Sequence, residues 1–72
     1  MEGIAGRYGK VAKDTYAKVC IFQIIRKIDE EKYRICILKY GNLKANTRVN
    51  CTKAFIEDAE EIDEDDALFE LI

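Results

Sequence analysis

Histidine, tryptophan and proline are all absent from this sequence of 72 residues. Without histidine, the chain lacks the side chain that most often serves as a general base or a metal ligand. Lysines and carboxylates are plentiful, but no two of them form a recognisable pair of nucleophile and base. We therefore predict a non-enzymatic protein that uses neither a metal nor another cofactor.

Cysteine occurs three times. The three cysteines, Cys20, Cys36 and Cys51, cannot all pair within one chain, and none stands in a C-x-x-C metal spacing. Free thiols are typical of a reducing compartment. The longest apolar stretch, residues 19–25, contains Gln23 and is far shorter than the ~18 residues of a membrane span. These features predict a cytoplasmic protein without a membrane partner.

Because the sequence contains no proline, it has no proline-rich linker between domains. Its length is that of a single small domain. Within residues 1–72 we expect a flexible N-terminal arm (1–12), a basic β body (13–53) and an acidic helical tail (54–72). Ordering a chain costs roughly 1.5 kcal/mol per residue, which so small a core barely offsets. A homodimer therefore stays an alternative, joined through Cys20, Phe22, Ile24 and Ile35.

The two parts of the chain carry charges of opposite sign. Residues 1–53 contain all 12 lysines and arginines and only five acids, for a net charge of +7. Residues 54–72 contain nine acids and no base, for a net charge of −9, which brings the whole chain to −2. Such segregation indicates electrostatic partners, or pairing between the two parts.

A β-hairpin is the clearest local prediction. Apolar and polar residues alternate over residues 43–52, which is the pattern of a half-buried strand. Gly and Asn at 41–42 form a two-residue hairpin loop, so residues 33–40 are the partner strand. We therefore expect an antiparallel pair with Tyr40 opposite Leu43.

A third strand precedes this hairpin. Residues 17–28 are rich in β-branched side chains and end at a charged turn, residues 29–32, which would place Ile28 opposite Tyr33. These pairings predict one apolar face made of Cys20, Phe22, Ile24, Ile28, Tyr33, Ile35 and Ile37. They predict a second face with Val19, Ile21, Ile25, Arg34, Cys36, Leu38, Tyr40, Leu43, Ala45, Thr47 and Val49.

Apolar side chains on both faces need cover. The sequence therefore predicts a mainly β (α+β) fold, a small curled antiparallel meander of three to five strands that is SH3-like or OB-like. Residues 6–12 are a candidate short edge strand. In the tail, Thr52 is a candidate N-cap for an acidic helix of roughly ten residues that begins at Lys53 and breaks near 63–66. Residues 68–72 would then form a terminal strand or a hook.

Basic and amide side chains on the predicted sheet favour nucleic-acid binding, to DNA or RNA, as the leading function. Cations would contact phosphates, tyrosines would stack on bases, and the acidic tail would modulate access. The simpler explanation is that every amphipathic strand needs a polar face. The candidate residues for nucleic-acid binding are Arg7, Lys10, Tyr33, Lys39, Tyr40, Lys44, Asn46 and Arg48.

The acidic tail supports an alternative function, a small inhibitor or nucleic-acid mimic of mobile-element or phage type that binds a basic protein. A solubilising tail is the simpler explanation. Residues 65–69 also resemble the Leu-Phe end of the linear peptide recognised by bacterial sliding clamps, with Asp65 in place of the opening Gln. The candidate residues for protein binding are Glu57, Glu60, Glu61, Glu64, Asp65, Asp66, Leu68 and Phe69.

Overall fold

The computed structural model describes residues 5–13, 18–41 and 43–72. Within these residues the chain forms five strands and two helices. Their bounds are β1 Tyr8–Lys13, β2 Lys18–Lys27, β3 Lys32–Tyr40, β4 Leu43–Thr52, α1 Lys53–Asp58, β5 Glu60–Ile62 and α2 Glu64–Leu71. The strands make one antiparallel sheet in the order β4-β3-β2-β1-β5.

The mainly β, antiparallel architecture with a short C-terminal helix is as the sequence predicts. The sheet is neither closed nor strongly curled, however, which differs from the expected curled meander. The physical reason is that each face of the sheet receives a helix, so both sets of apolar side chains are covered while the sheet stays open.

The β3–β4 hairpin confirms that Tyr40 lies opposite Leu43. Gly41 in its turn has a φ of +63°, a value that glycine adopts without strain. Beyond the turn the register shifts around Leu38, so that Ile35 pairs with Val49. Without that irregularity Ile35 would have faced a charged side chain. The prediction placed Val49 on the same face as Arg34 and Cys36, and it is therefore wrong for the part of β3 that precedes Leu38. In the structure Val49 shares the core face with Ile35.

The register of the β2–β3 hairpin differs by one residue from the predicted register. Lys27, and not Ile28, lies opposite Tyr33. The charged turn itself forms as expected. The backbone amide of Glu31 donates to Asp29 Oδ1 at 2.8 Å, and the Lys32 amide donates to the Asp29 carbonyl at 3.4 Å.

One face of the sheet, which we call the α1 face, holds the main core. Its buried members are Val11, Cys20, Phe22, Ile24, Tyr33 and Ile35, with Phe55, Ile56 and Ala59 from the region of α1 packed against them. The rings of Phe22 and Phe55 lie 5.3 Å apart. A Cβ on Gly9 would collide with the Phe22 ring, so only glycine fits beneath it.

This core changes one expectation about assembly. Cys20, Phe22, Ile24 and Ile35, expected to join two copies, are at most 8% exposed within the single chain. They are covered by α1, so a homodimer through that surface would require α1 to leave.

The acidic tail wraps around the β1 side of the sheet instead of forming one helix. Thr52 caps α1 as predicted, since its Oγ1 accepts from the Phe55 amide at 3.2 Å, but α1 has only six residues. The chain then adds β5 to the edge and returns on the other face as α2, whose N-cap is Asp63. The expected ten-residue helix and terminal strand or hook are therefore wrong.

The tail's local structure follows from where its acids stand. In a single long helix these acids would crowd the C-terminal half and oppose the helix dipole. In the observed arrangement Glu64, Asp65 and Asp66 fill the first turn of a second helix, where the dipole favours negative charge.

The N-terminal segment is a strand, since β1 lies between β2 and β5. It pairs with β2 from Tyr8 to Lys13 and with β5 through Tyr8, Gly9 and Lys10. Part of the expected flexible arm is thus an internal strand and not an edge. Residues 1–4 of that arm lie outside the described residues, as do residues 14–17 and Asn42.

Candidate nucleic-acid interface

The side of the sheet opposite α1 carries most of the basic side chains, and we call it the α2 face. It alternates with the core face along each strand. Its members include Tyr8 and Lys10 of β1, Ile21, Gln23 and Arg26 of β2, Lys32, Arg34, Cys36 and Lys39 of β3, and Lys44, Asn46, Arg48 and Asn50 of β4.

Five cations on the uncovered part of this face form what we call the basic patch. They are Arg26, Lys32, Arg34, Lys44 and Arg48. No aspartate or glutamate occurs in β2, β3 or β4. Among residues 5–13, 18–41 and 43–72, no salt bridge engages any of these five side chains. The patch is therefore positive without a neutralising carboxylate in its own strands.

The strand register sets the layout of the patch. Arg26, Arg34 and Asn50 are cross-strand neighbours, and Arg48 lies opposite Cys36. Asn50 and Lys44 are six residues apart in β4, which corresponds to about 20 Å along a strand. That length corresponds to the axial rise of about six base pairs of a duplex, at 3.4 Å each.

Hydrogen bonds fix two amide side chains on this surface. Arg34 Nη1 donates to Asn50 Oδ1 at 3.0 Å, and the Cys36 thiol contacts Asn46 Oδ1 at 3.0 Å. Because both amide oxygens are engaged, the amide nitrogens remain as donors. Donors beside unpaired cations are what a phosphate oxygen requires.

The covered part of the α2 face lies under α2, in a cross-strand row that starts at the uncovered Lys44. Lys10 pairs with Ile21, Ile21 with Lys39, and Lys39 with Lys44. Glu70 of α2 bridges the row, since its carboxylate accepts from Lys10 Nζ at 2.8 Å and its carbonyl from Lys39 Nζ at 2.7 Å. Ile21 lies between these two lysines and is 0% exposed, so α2 crosses directly over it.

The ion pair between α2 and β1 perturbs both of its groups. The hydrogen bond from Lys10, followed by its charge, lowers the pKa of the Glu70 carboxyl below its ordinary value. The same bond and the charge of Glu70 raise the pKa of Lys10, and Glu60 and Asp66 add to this effect. The pair is thus held in its charged form over a widened pH range.

The residues expected to bind nucleic acid do not all come together. Lys44, Asn46 and Arg48 share the α2 face, and Lys39 stands beside Lys44 as expected. Tyr33 is 3% exposed in the core, so its ring is not available for stacking. Tyr40 belongs to the α1 face, on the other side of the sheet from the basic patch.

Two expected cations are already paired with acids. Arg7 Nη1 lies 2.9 Å from Glu61 Oε2 at the β1–β5 edge, and Lys10 is bound to Glu70. Both therefore differ from the cations of the basic patch.

Sequence reasoning missed Arg26, Lys32 and Arg34. Arg26 and Arg34 lie in predicted strands, whereas Lys32 lies in the predicted charged turn at 29–32. The signal for the two arginines was the lack of any acid in those strands. The face of Arg34 depended on the irregularity near Leu38, which no local pattern indicated.

The residues expected to bind a protein are spread over both sides of the molecule. Glu57 is on α1, Glu60 and Glu61 are on β5, and the acids at 64–66 begin α2. They do not form one continuous ridge. Leu68 and Phe69 are 53% and 77% exposed on α2, and the five residues that resemble the clamp peptide all lie within this helix.

Two depressions flank α1. The larger, about 510 Å³, is a mostly apolar groove at the open end of the α1 face, lined in part by Val11, Tyr40 and Leu43. The smaller, about 190 Å³, lies near Gly9 and Glu61.

The cysteines offer no metal-binding cluster. Cys20, Cys36 and Cys51 are free thiols, and burial raises the pKa of Cys20 and Cys51. The described part of the chain contains no group of three or more side chains suited to a metal ion. No helix among the described residues has the length and apolar character needed to cross a membrane.

Comparison with protein-family models, with curated proteins and with solved structures finds no match to this chain.

Proposed function

We propose that this protein is a small non-enzymatic module that binds nucleic acid through the basic patch on the α2 face. The observation that carries the proposal is a set of five cations on three adjacent strands that contain no acid. Neutralising phosphates with lysine and arginine releases counterions, and this supplies most sequence-independent affinity for nucleic acid. A cytoplasmic location belongs to the same proposal and is supported by the three free thiols.

The geometry favours contact with the phosphate backbone over stacking on bases. Base stacking needs exposed aromatic rings beside the cations. Tyr33 is buried, Tyr40 belongs to the opposite face, and Tyr8 stands on β1, three strands away from Arg48 in β4. The patch instead offers cations and amide donors on a sheet surface, and such groups position a backbone without reading sequence. The proposed ligand is therefore a duplex of DNA or RNA, bound with little sequence preference.

The SH3-like assignment belongs to this proposal. Four consecutive antiparallel strands, a short helix and a fifth strand that returns to β1 support it. The observed open sheet would correspond to a barrel whose β4 and β5 edges have not met. Solution NMR tests it, because contacts between protons of β4 and β5 would support closure and their absence would rule it out.

The decisive experiment measures binding of a short mixed-sequence DNA duplex, and of the matching RNA duplex, across a range of salt concentrations. Arg48→Gln is expected to weaken binding about threefold or more at low salt and to reduce the salt slope by about one. The double variant Lys44→Gln with Arg48→Gln is expected to reduce that slope by about two.

Lys27→Gln is the matched control. Lys27 carries the same charge but lies on the α1 face, opposite Tyr33, and is paired with Glu30 at 3.2 Å. Its removal should leave duplex binding nearly unchanged. Equal losses for Lys27→Gln and Arg48→Gln would show a general charge effect and overturn the patch as the site.

A second candidate function is favoured by the outer surface of α2. Leu68, Phe69 and Ile72 are 53%, 77% and 94% exposed and stand beside exposed acids at 64–66. Exposed apolar side chains next to charges are typical of protein contact sites. If α2 binds a basic protein, Phe69→Ser should abolish capture of that partner while leaving duplex binding intact. Unchanged capture by Phe69→Ser would exclude this surface.

A further inference from the structure

The basic surface does not stop where α2 begins. Lys39 and Lys10 continue the cross-strand row that starts at Lys44 in the basic patch. Both lysines point toward α2, and both are bound by Glu70. A carboxylate and a carbonyl oxygen thus occupy the places where phosphate oxygens would otherwise accept hydrogen bonds from these two amines.

The attachment of α2 to the sheet is slight. Ala67 is its one fully buried residue, and the side chains of Lys10 and Glu70 are 30% and 33% exposed. Exposed ion pairs contribute little to stability and are screened by salt. A helix of eight residues is also marginal by itself in water, so α2 depends on this contact. Elements with few buried contacts open at low free-energy cost.

On the basis of the proposed function, we infer that α2 is a displaceable cover over an additional phosphate-binding subsite formed by Lys10 and Lys39. Glu70 stands in for a phosphate when no nucleic acid is present. A duplex bound at the basic patch competes with α2 for the two lysines, and the helix detaches as the contact extends across β2 to β1. The apparent affinity for the duplex is therefore the affinity of the open form multiplied by the fraction of molecules in which α2 is detached.

The test compares two variants that remove the same charge. Glu70→Gln breaks the pair with Lys10, whereas Glu57→Gln removes an exposed carboxylate on α1. Binding of the DNA duplex is measured for the full chain and both variants, and circular dichroism checks that each is folded. Glu70→Gln is expected to bind about threefold or more tightly than the full chain, while Glu57→Gln changes affinity less than twofold.

A second measurement does not depend on any substitution. Hydrogen exchange of the α2 amides, including that of Ala67, which donates to the Asp63 carbonyl at 3.0 Å, is followed with and without the duplex. Competition predicts that saturating duplex lowers protection in α2 and preserves or raises it in β2 and β3.

The outcomes separate the two proposals. If the full chain binds the duplex, but Glu70→Gln equals Glu57→Gln or α2 keeps its protection, the covered subsite is wrong and the basic patch stands. If only Glu70→Gln binds, the cover is closed strongly and the inference is supported. If neither the full chain nor Glu70→Gln binds at low salt, nucleic-acid binding fails and the covered subsite fails with it.

Discussion

The two faces of this sheet are covered by helices of similar length but of different chemistry. On the α1 face, Phe55, Ile56 and Ala59 pack against six buried side chains. On the α2 face, Ile21 and Ala67 are fully buried, and Glu70 binds Lys10 through its carboxylate and Lys39 through its carbonyl. The first contact is hydrophobic and is not screened by salt, whereas the second depends in part on charge and is weakened by salt. The comparison indicates that one helix completes the core and the other lies over part of a charged surface.

Removing a phenyl ring from each side tests this difference with the largest expected effect. Phe22 is 1% exposed beneath α1, and Phe69 is 77% exposed on α2. Phe22→Ala should lower the free energy of unfolding by about 3–5 kcal/mol because it leaves a cavity. Phe69→Ala should stay within about 0.5 kcal/mol. Urea unfolding measures both, and similar losses would contradict the distinction between the helices.

The N-caps provide a second, smaller comparison. Thr52 caps α1 and Asp63 caps α2, each by accepting a backbone amide. Thr52→Ala should lower the global free energy of unfolding by about 1 kcal/mol, since α1 is part of the cooperative core. Asp63→Ala should accelerate hydrogen exchange in α2 while leaving the urea midpoint nearly unchanged, because α2 opens separately. Equal shifts of the urea midpoint would indicate that both helices unfold together with the sheet.

The titration of Glu70 gives the smallest expected effect. The pKa of Glu70 is lower in the folded chain than in the unfolded chain. Its contribution to folding stability is therefore present above the unfolded pKa and is lost as the pH falls through the folded pKa. The groups that face it are Lys10 on β1 and Lys39 on β3. NMR of the carboxyl carbon should give a midpoint below 4.5, and Lys10→Met should return it toward that value. An unchanged midpoint in Lys10→Met would mean that the pair does not persist in solution.

The pair also has an alkaline limit. The pKa of Lys10 is higher in the folded chain than in the unfolded chain. Its contribution to folding stability is therefore complete below its unfolded pKa of about 10.5 and is lost as the pH rises through the folded pKa. Between the two limits the docking of α2 should depend on salt far more than on pH.

Local patterns in the sequence were sufficient for the parts of the fold that depend on neighbours in the chain. The pairing of Tyr40 with Leu43, the charged turn at 29–32 and the cap at Thr52 all depend on a few adjacent residues, and all three are confirmed. The polar face of β4 also follows from simple alternation.

The rest of the fold could not be predicted from the sequence, because it depends on contacts between segments that are distant along the chain. β5 has three residues, two of them acidic, and becomes a strand only because β1 offers a free edge. The register shift at Leu38 is fixed by what packs on each face. Only Lys44 and Arg48 of the five patch cations were predicted, and placing Arg34 beside Asn50 requires that shift. Segregated charge offered contact between tail and body as one alternative, but it did not indicate Glu70 as the point of contact.

The pairing of β1 with β5 has a consequence for synthesis of the chain. The hairpins of β2, β3 and β4 are local and can form as soon as they leave the ribosome, whereas β1 waits for residues 60–62 before its second neighbour exists. The strands richest in lysine and arginine therefore emerge before the carboxylates that will cover part of them have been translated. For that interval the nascent polypeptide presents its most cationic surface to the polyanions that surround it.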